Sequence, residues 1–183
     1  MQRFQNGLNH PTISQRPLLA AHLHNMLAKV HERQGQLEES MEALVLAMQF
    51  YQLAGSDSGQ AAVSEAVANI HWSQGQLDRA KRGLLASLDY KEQHQDTLGA
   101  AQTLNALGGI NAQMGQLHDA EAYFVRTMAL WQAHEKPKRL AETANNLANV
   151  YSALGRTSDA QRFYRQSIQL KRWTGDLHGL ART

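Results

Sequence analysis

The stretch GQLEESMEAL, residues 35–44, returns as GQLDRAKRGL at 75–84, as GQLHDAEAYF at 115–124 and, more loosely, as GRTSDAQRFY at 155–164. A phrase recurring at a constant step of forty residues marks a stack of similar units, each touching its neighbours, rather than one compact ball. Five residues before each glycine stand Val30, Ile70, Ile110 and Val150, and three before those stand Leu27, Val67, Leu107 and Leu147. That spacing is one face of a helix. With the polar residues that follow, it makes each segment an amphipathic helix A whose buried stripe ends at the turn. The glycines fall just past the helix end, where a left-handed backbone carries no Cβ penalty.

Beyond each glycine a second stripe begins with a small residue, Ser40, Ala80, Ala120 or Ala160. It continues through Leu44, Leu84, Phe124 and Tyr164 to Met48, Leu88, Met128 and Ile168, which defines a helix B. Ala47, Ser87, Thr127 and Ser167 form a further small column that lets neighbouring helices approach closely. The links GSDS, QDT, EKPK and GDL are short, polar and rich in turn formers, so successive helices run antiparallel. Each unit is thus a helical hairpin that cannot bury both faces alone, and the expected fold is an all-α solenoid of stacked hairpins.

At offset forty Phe4, Gly7 and Leu8 fall under Leu44, Ala47 and Met48. Residues 1–16 therefore read as the remnant of a preceding helix B or a flexible N-terminal segment. Residues 17–174 hold four hairpins, and 175–183 open a further helix A. The chain reads as a window from a longer array, or as one whose uncapped ends pair with another copy, a route to a homo-oligomer.

Apolar residues make up 43% of the chain and charged residues 19%, enough apolar surface to fold. A net charge of +2 with acids interspersed gives no case for nucleic acid. The absence of cysteine rules out disulfides and thiolate metal sites and suits a reducing compartment. No apolar run approaches a membrane span, and MQRFQNGLNHPT lacks the apolar centre of a secretion signal, so a soluble cytoplasmic protein without membrane partners is expected.

No phosphate loop, dinucleotide glycine pattern, HExxH or GxSxG is present, and no enzyme, metal or cofactor is expected. His31 and His71 share a column with Asn111 and Tyr151 and read as structural residues packing helix A near helix B. His22 and His24, two apart on a helix, diverge. His10, His94, His118, His134 and His178 fall in links or on exposed faces. Glu38, Glu39, Glu42, Asp78, Asp119 and Asp159 read as first-turn residues that suit the helix dipole and act as caps. Trp131 and Trp173, late in helix B, are expected to cover hairpin junctions.

The small residue after a glycine turn, the Leu or aromatic four later, and the string AETANNLANVYSALGRTSDAQRFYRQSIQL at 141–170 resemble tetratricopeptide repeats. The likeness is to the forty-residue variety of kinesin light chain and the LGN-type adaptors, and it extends from about residue 17 to 183. The period exceeds the thirty-four of the commonest form and its terminal proline is missing, which reads as longer helices. HEAT-type repeats have a similar period but lack this phrasing.

The resemblance implies a right-handed superhelix whose A helices line a concave wall along which an extended peptide lies. Wall columns are Asn25, Glu65, Asn105, Asn145 and, four residues on, Lys29, Asn69, Gly109, Asn149, a ladder of carboxamides able to hold a peptide main chain. Adjacent positions hold His22, Gln102 and Glu142, then Glu32, Trp72 and Ala112, then Arg33, Ser73 and Gln113. Candidate peptide-binding residues are Asn25, Lys29, Arg33, Asn69, Trp72, Gln102, Asn105, Asn145 and Asn149. Trp72 offers an apolar anchor, and Lys29 with Arg33 favours an acidic group. The same amides also fit a purely structural ladder. The functional expectation is a protein-interaction module binding a peptide or partner domain, the alternative being a sensor segment of a larger signalling or transcription-control protein.

Overall fold

The computed structural model describes residues 16–175. Among the described residues eight α-helices, each of 17 residues, follow one another: α1 Pro17–Arg33, α2 Leu37–Leu53, α3 Asp57–Ser73, α4 Leu77–Gln93, α5 Thr97–Gln113, α6 Leu117–Ala133, α7 Pro137–Ala153 and α8 Thr157–Trp173. Odd-numbered helices are the A helices of the sequence pattern and even-numbered ones the B helices. No strand occurs among the described residues. The readings of residues 1–15 as a worn helix B and of 176–183 as a further helix A lie outside the described residues.

The helices begin at 17, 37, 57 and onward, so the backbone repeats at half the period of the sequence. Its cause is a single turn used throughout. After α1 the Gly35 N–H donates to the Glu32 carbonyl at 3.0 Å and the Gln36 N–H to the His31 carbonyl at 2.9 Å, with Gly35 at φ 74°. These are the two bonds of a Schellman stop, which satisfy carbonyls orphaned at a helix end. The same pair recurs at Gly75, Gly115 and Gly155. It also recurs in the links from B to A, at Gly55, at Gln95 (φ 57°) and at Glu135 (φ 52°). The sequence shows those links only as polar turns, because two of their left-handed positions carry side chains.

Helix starts differ more than helix stops. Ser56 and Asp96 accept from the backbone N–H of Gly59 and Gly99, at 3.3 and 2.9 Å, and cap α3 and α5. Proline in the first turn opens α1 and α7. Gln36, Gln116 and Arg156 make no capping bond from their side chains. The acidic residues read as caps are thus corrected: Glu38, Glu39, Asp119 and Asp159 occupy first turns of helices that have no side-chain cap bond, Asp78 likewise sits in a first turn, and Glu42 lies outside that turn.

The chain divides into two compact units, 1–90 and 91–183, so the last residues of α4 belong to the second. In the first, Ala21 and Ala28 of α1, Ala43, Leu44, Ala47 and Tyr51 of α2, and Val63 and Ile70 of α3 form one buried cluster. Ser40, from the small column, donates to the Ala28 carbonyl at 2.9 Å, which ties α2 to α1 at close range. In the second unit Ala120 and Phe124 of α6 pack with Leu147, Val150 and Tyr151 of α7 and Ala160 of α8. Ala101, Trp131 and Leu140 form a smaller cluster. A Cβ at Gly108 would collide with the Phe124 ring at 2.6 Å, so the larger B residue of this hairpin is matched by a smaller A residue. Ser167 donates to the Ala141 carbonyl at 2.7 Å and is fully buried.

Two burial expectations fail. Ile70 and Val150 are buried against the preceding B helix, whereas Val30 is 45% exposed, since no such helix precedes α1 among the described residues. Trp131 is buried as expected, but Trp173 is 75% exposed and covers no junction.

Candidate functional site

On α1, Asn25, Lys29 and Arg33 follow at four-residue steps and therefore share one face. Lys29 and Arg33 are exposed, and Asn25 is half-buried. Asn25 Oδ1 is shielded from water and accepts no hydrogen bond among the described residues, which leaves the amide N–H group to face the hydroxyl of Tyr51 on α2. Burial pushes the Tyr51 phenol above its ordinary value, and the Asn25 bond offsets part of that rise. His22 meets the Tyr51 ring edge-on with centroids 5.5 Å apart, and His24 stacks on Phe50 at 5.6 Å. The two histidines thus flank one α2 surface without forming a ligand pair. Burial of His24 holds its imidazole below the usual value. On α3, Asn69 is exposed and Trp72 is half-buried.

In the second unit Gln102 is exposed, Asn105 and Asn145 are half-buried and Asn149 is exposed. The Thr143 hydroxyl of α7 donates to Asn105 Oδ1 of α5 at 3.1 Å, a bond between successive A helices. The Tyr164 hydroxyl of α8 donates to Asn149 Oδ1 at 2.6 Å, a bond from an A helix to its own B helix. Asn145 Oδ1 is shielded from water and accepts no hydrogen bond among the described residues. The amides therefore divide into rungs already tied to a neighbour and rungs with bonding capacity left. Sequence reasoning placed them in register and did not distinguish these classes.

Two structural contacts escaped the sequence reading. His134, expected to be idle, shares a 2.8 Å hydrogen bond between Nε2 and Thr97 Oγ1, which joins the link before α7 to the start of α5. Arg156 lies 4.3 Å over the Tyr151 ring and pairs with Glu121 at 2.8 Å and Asp159 at 2.9 Å. Of the column read as structural, His31, Asn111 and Tyr151 are buried and His31 Nδ1 bonds Gln36 Oε1 at 2.8 Å, whereas His71 is half-buried and its shielded Nδ1 makes no hydrogen bond among the described residues. Away from these amides, a groove of about 420 Å³ is lined by Glu135, Lys136, Pro137, Lys138, Arg139, Trp173 and Thr174. No group of three or more His, Asp or Glu able to hold a metal occurs among the described residues, and no described helix is long and apolar enough to cross a membrane.

Two family models described as Tetratricopeptide repeat match the chain, over residues 21–52 and 99–172. No curated protein matches it in sequence. Among solved structures it is similar to BtubC (BKLC) from P. vanneervenii, with 20% identity and a TM-score of 0.85 over 94% of this chain and 72% of that one. It is also similar to the nearly identical TPR-like repeats of a putative kinesin light chain from Podospora anserina, with 17% identity, TM-score 0.70, and 90% and 78% coverage. A third likeness is to a STAND signal-transduction ATPase with a tetratricopeptide repeat sensor from Pyrococcus horikoshii, with 12% identity and TM-score 0.86. That match covers 98% of this chain and 27% of the larger one, so the chain spans about a quarter of its length. At these identities the likeness is one of fold.

Proposed function

Because this chain belongs to the tetratricopeptide repeat family, we propose that it is a protein-interaction module that takes an extended acidic peptide on the A-helix faces, without turnover. The observation that carries the reading is the α1 face, where Lys29 and Arg33 stand exposed beside Asn25 and have no ion pair among the described residues. Two cations one helical turn apart favour carboxylate side chains, and the guanidinium can grip one with two parallel bonds. Within the first unit, the Asn25 and Asn69 amides supply main-chain donors and acceptors beside these cations. Trp72 supplies the apolar contact that acidic residues lack.

The test is capture of peptides from a random display library. The wild-type chain should enrich acidic sequences, and the double variant Lys29→Glu, Arg33→Glu should lose that enrichment or reverse its charge preference. Both side chains are exposed, so circular dichroism and the melting temperature should stay nearly unchanged. Enrichment indifferent to the reversal would overturn the reading.

A second reading is a sensor segment of a larger signalling or transcription-control protein, favoured by the likeness to the P. horikoshii ATPase with its repeat sensor. Coding sequence running from this segment into an ATPase or DNA-binding part separates it from a free-standing module. In either case the cysteine-free composition suits the cytoplasm, where we place it.

A further inference from the structure

In the second unit, two successive hairpins differ at the end where helix A starts and helix B stops. At the start of α5 and just past the end of α6, Thr97 Oγ1 and His134 Nε2 share a hydrogen bond of 2.8 Å. Forty residues on, the same two places hold Pro137 and Thr174, and the place of Ala133 holds Trp173. A proline side chain has neither donor nor acceptor, so that closing bond has no equivalent in the later hairpin. What lies there is the groove of about 420 Å³ between the start of α7 and the end of α8.

The groove offers two chemistries side by side. Trp173, 75% exposed, and the Pro137 ring present apolar surface, while Lys136, Lys138 and Arg139 present cations. Both lysines are exposed and make no ion pair among the described residues. Arg139 pairs with Glu142 at 3.1 Å, but the two side chains are 57% and 53% exposed, so an incoming carboxylate displaces that partner at little cost. Tryptophan and arginine are also the residues that most often carry the binding energy of protein interfaces.

The excess of positive charge selects an anionic guest, and the indole selects an apolar group beside the anion. Because most of Trp173 stays in solvent, the groove covers one side of a guest, too little for a small molecule, which needs most of its surface enclosed. A segment of a larger molecule can lend one side chain and its neighbouring charges while the remainder stays in water. Glu135 also lines the groove and opposes a polyphosphate strand, which is charged at every unit, whereas a peptide can space its carboxylates around it.

We propose that this groove docks an acidic peptide segment of a partner protein, with one large apolar side chain packed on Trp173 and Pro137 and flanking carboxylates paired with Lys136, Lys138 and Arg139. The guanidinium can hold one carboxylate through two parallel bonds, and the ammonium groups hold others as point charges. None of the α1 residues takes part, so the site stands or falls separately from the reading of that face.

The tryptophans supply the readout, since Trp131 is buried, Trp72 half-buried and Trp173 exposed. The full chain is titrated with a blocked eight-residue peptide, phenylalanine and leucine set between glutamates, and followed by the indole N–H resonances. The Trp173 signal should shift while that of Trp131 stays in place. The same peptide with glutamine for glutamate should bind at least about tenfold more weakly. So should the original peptide with Trp173→Ala, or with the double variant Lys136→Glu, Lys138→Glu, read from the Lys138 and Arg139 amides where the indole is gone. An unmoved Trp173 signal up to about 1 mM peptide would overturn the proposal. So would equal binding of the glutamine peptide, or a titration lost in Lys29→Glu, Arg33→Glu, which would move the site to α1. A shift produced at lower concentration by an eight-nucleotide oligothymidylate would make nucleic acid the guest. Contacts from the Trp173 indole to residues 176–183 in the free chain would make that segment the occupant, and either result would overturn the proposal.

Discussion

The turns that lead from an A helix to a B helix and those that lead from B to A have one backbone and two chemistries. From A to B the left-handed position is always glycine, at 35, 75, 115 and 155, and the next helix starts on glutamine or arginine with no capping bond seen at 36, 116 or 156. From B to A it is Gly55, Gln95, Glu135 and Gly175, and the following residue is Ser56 or Asp96 with a capping bond, or Lys136 ahead of a proline. The first class holds its geometry by removing the Cβ. The second tolerates a Cβ twice and gains at the helix start: Asp96 caps after Gln95, Pro137 pre-sets the backbone after Glu135, and Thr97 is bonded to His134 across these two turns. Backbone strain and helix capping are therefore traded within the same few residues.

The largest effect that could break this comparison comes from a β-branched residue in the first class. Gly115→Val should cost about 2 kcal/mol in urea unfolding, since a left-handed conformation is least tolerable for such side chains. Gln95→Val should cost clearly less, and equal losses would mean the two classes bear no different strain. Next in size, Asp96→Ala should cost about 1 kcal/mol as the cap is lost, while Gln116→Ala should stay within about 0.5 kcal/mol. Smaller still, and of opposite sign, Gln95→Gly and Glu135→Gly should each stabilise by roughly 0.5 kcal/mol, the relief of strain exceeding the added freedom of the unfolded chain. The smallest effect serves as a control away from the turns. His24, kept below its ordinary pKa by burial, binds protons more weakly folded than unfolded. Stability from that site is fully present above the unfolded value of about 6.5 and declines as pH falls through it. Acidification from pH 7 to 5 should therefore loosen α1 and α2, seen as faster exchange there, and the loss should disappear in His24→Phe.

Helix existence and the A-to-B stops were legible because one residue type, glycine, is the low-cost solution to one geometry and so repeats in the letters. The half-period was not, because Gln95 and Glu135 adopt that geometry without announcing it. Asp96 followed three residues on by Gly99 carried a readable capping signal that the period of forty drew attention away from. Columns of the A-helix face were legible from offset alone. The state of each amide was not, since Asn105 is answered by Thr143, 38 residues away, and Asn149 by a tyrosine on another helix. Val30 shows a related limit: a column predicts burial only where a neighbour exists to supply it.

The uniform helix length has a consequence for how such a chain can change over generations. In-frame copying or loss of the DNA for one hairpin returns every stripe to register, whereas copying a single helix would keep the helix lengths and set A stripes in B places downstream. Backbone geometry alone would accept either event, so it is the side-chain stripes that restrict heritable growth to whole hairpins.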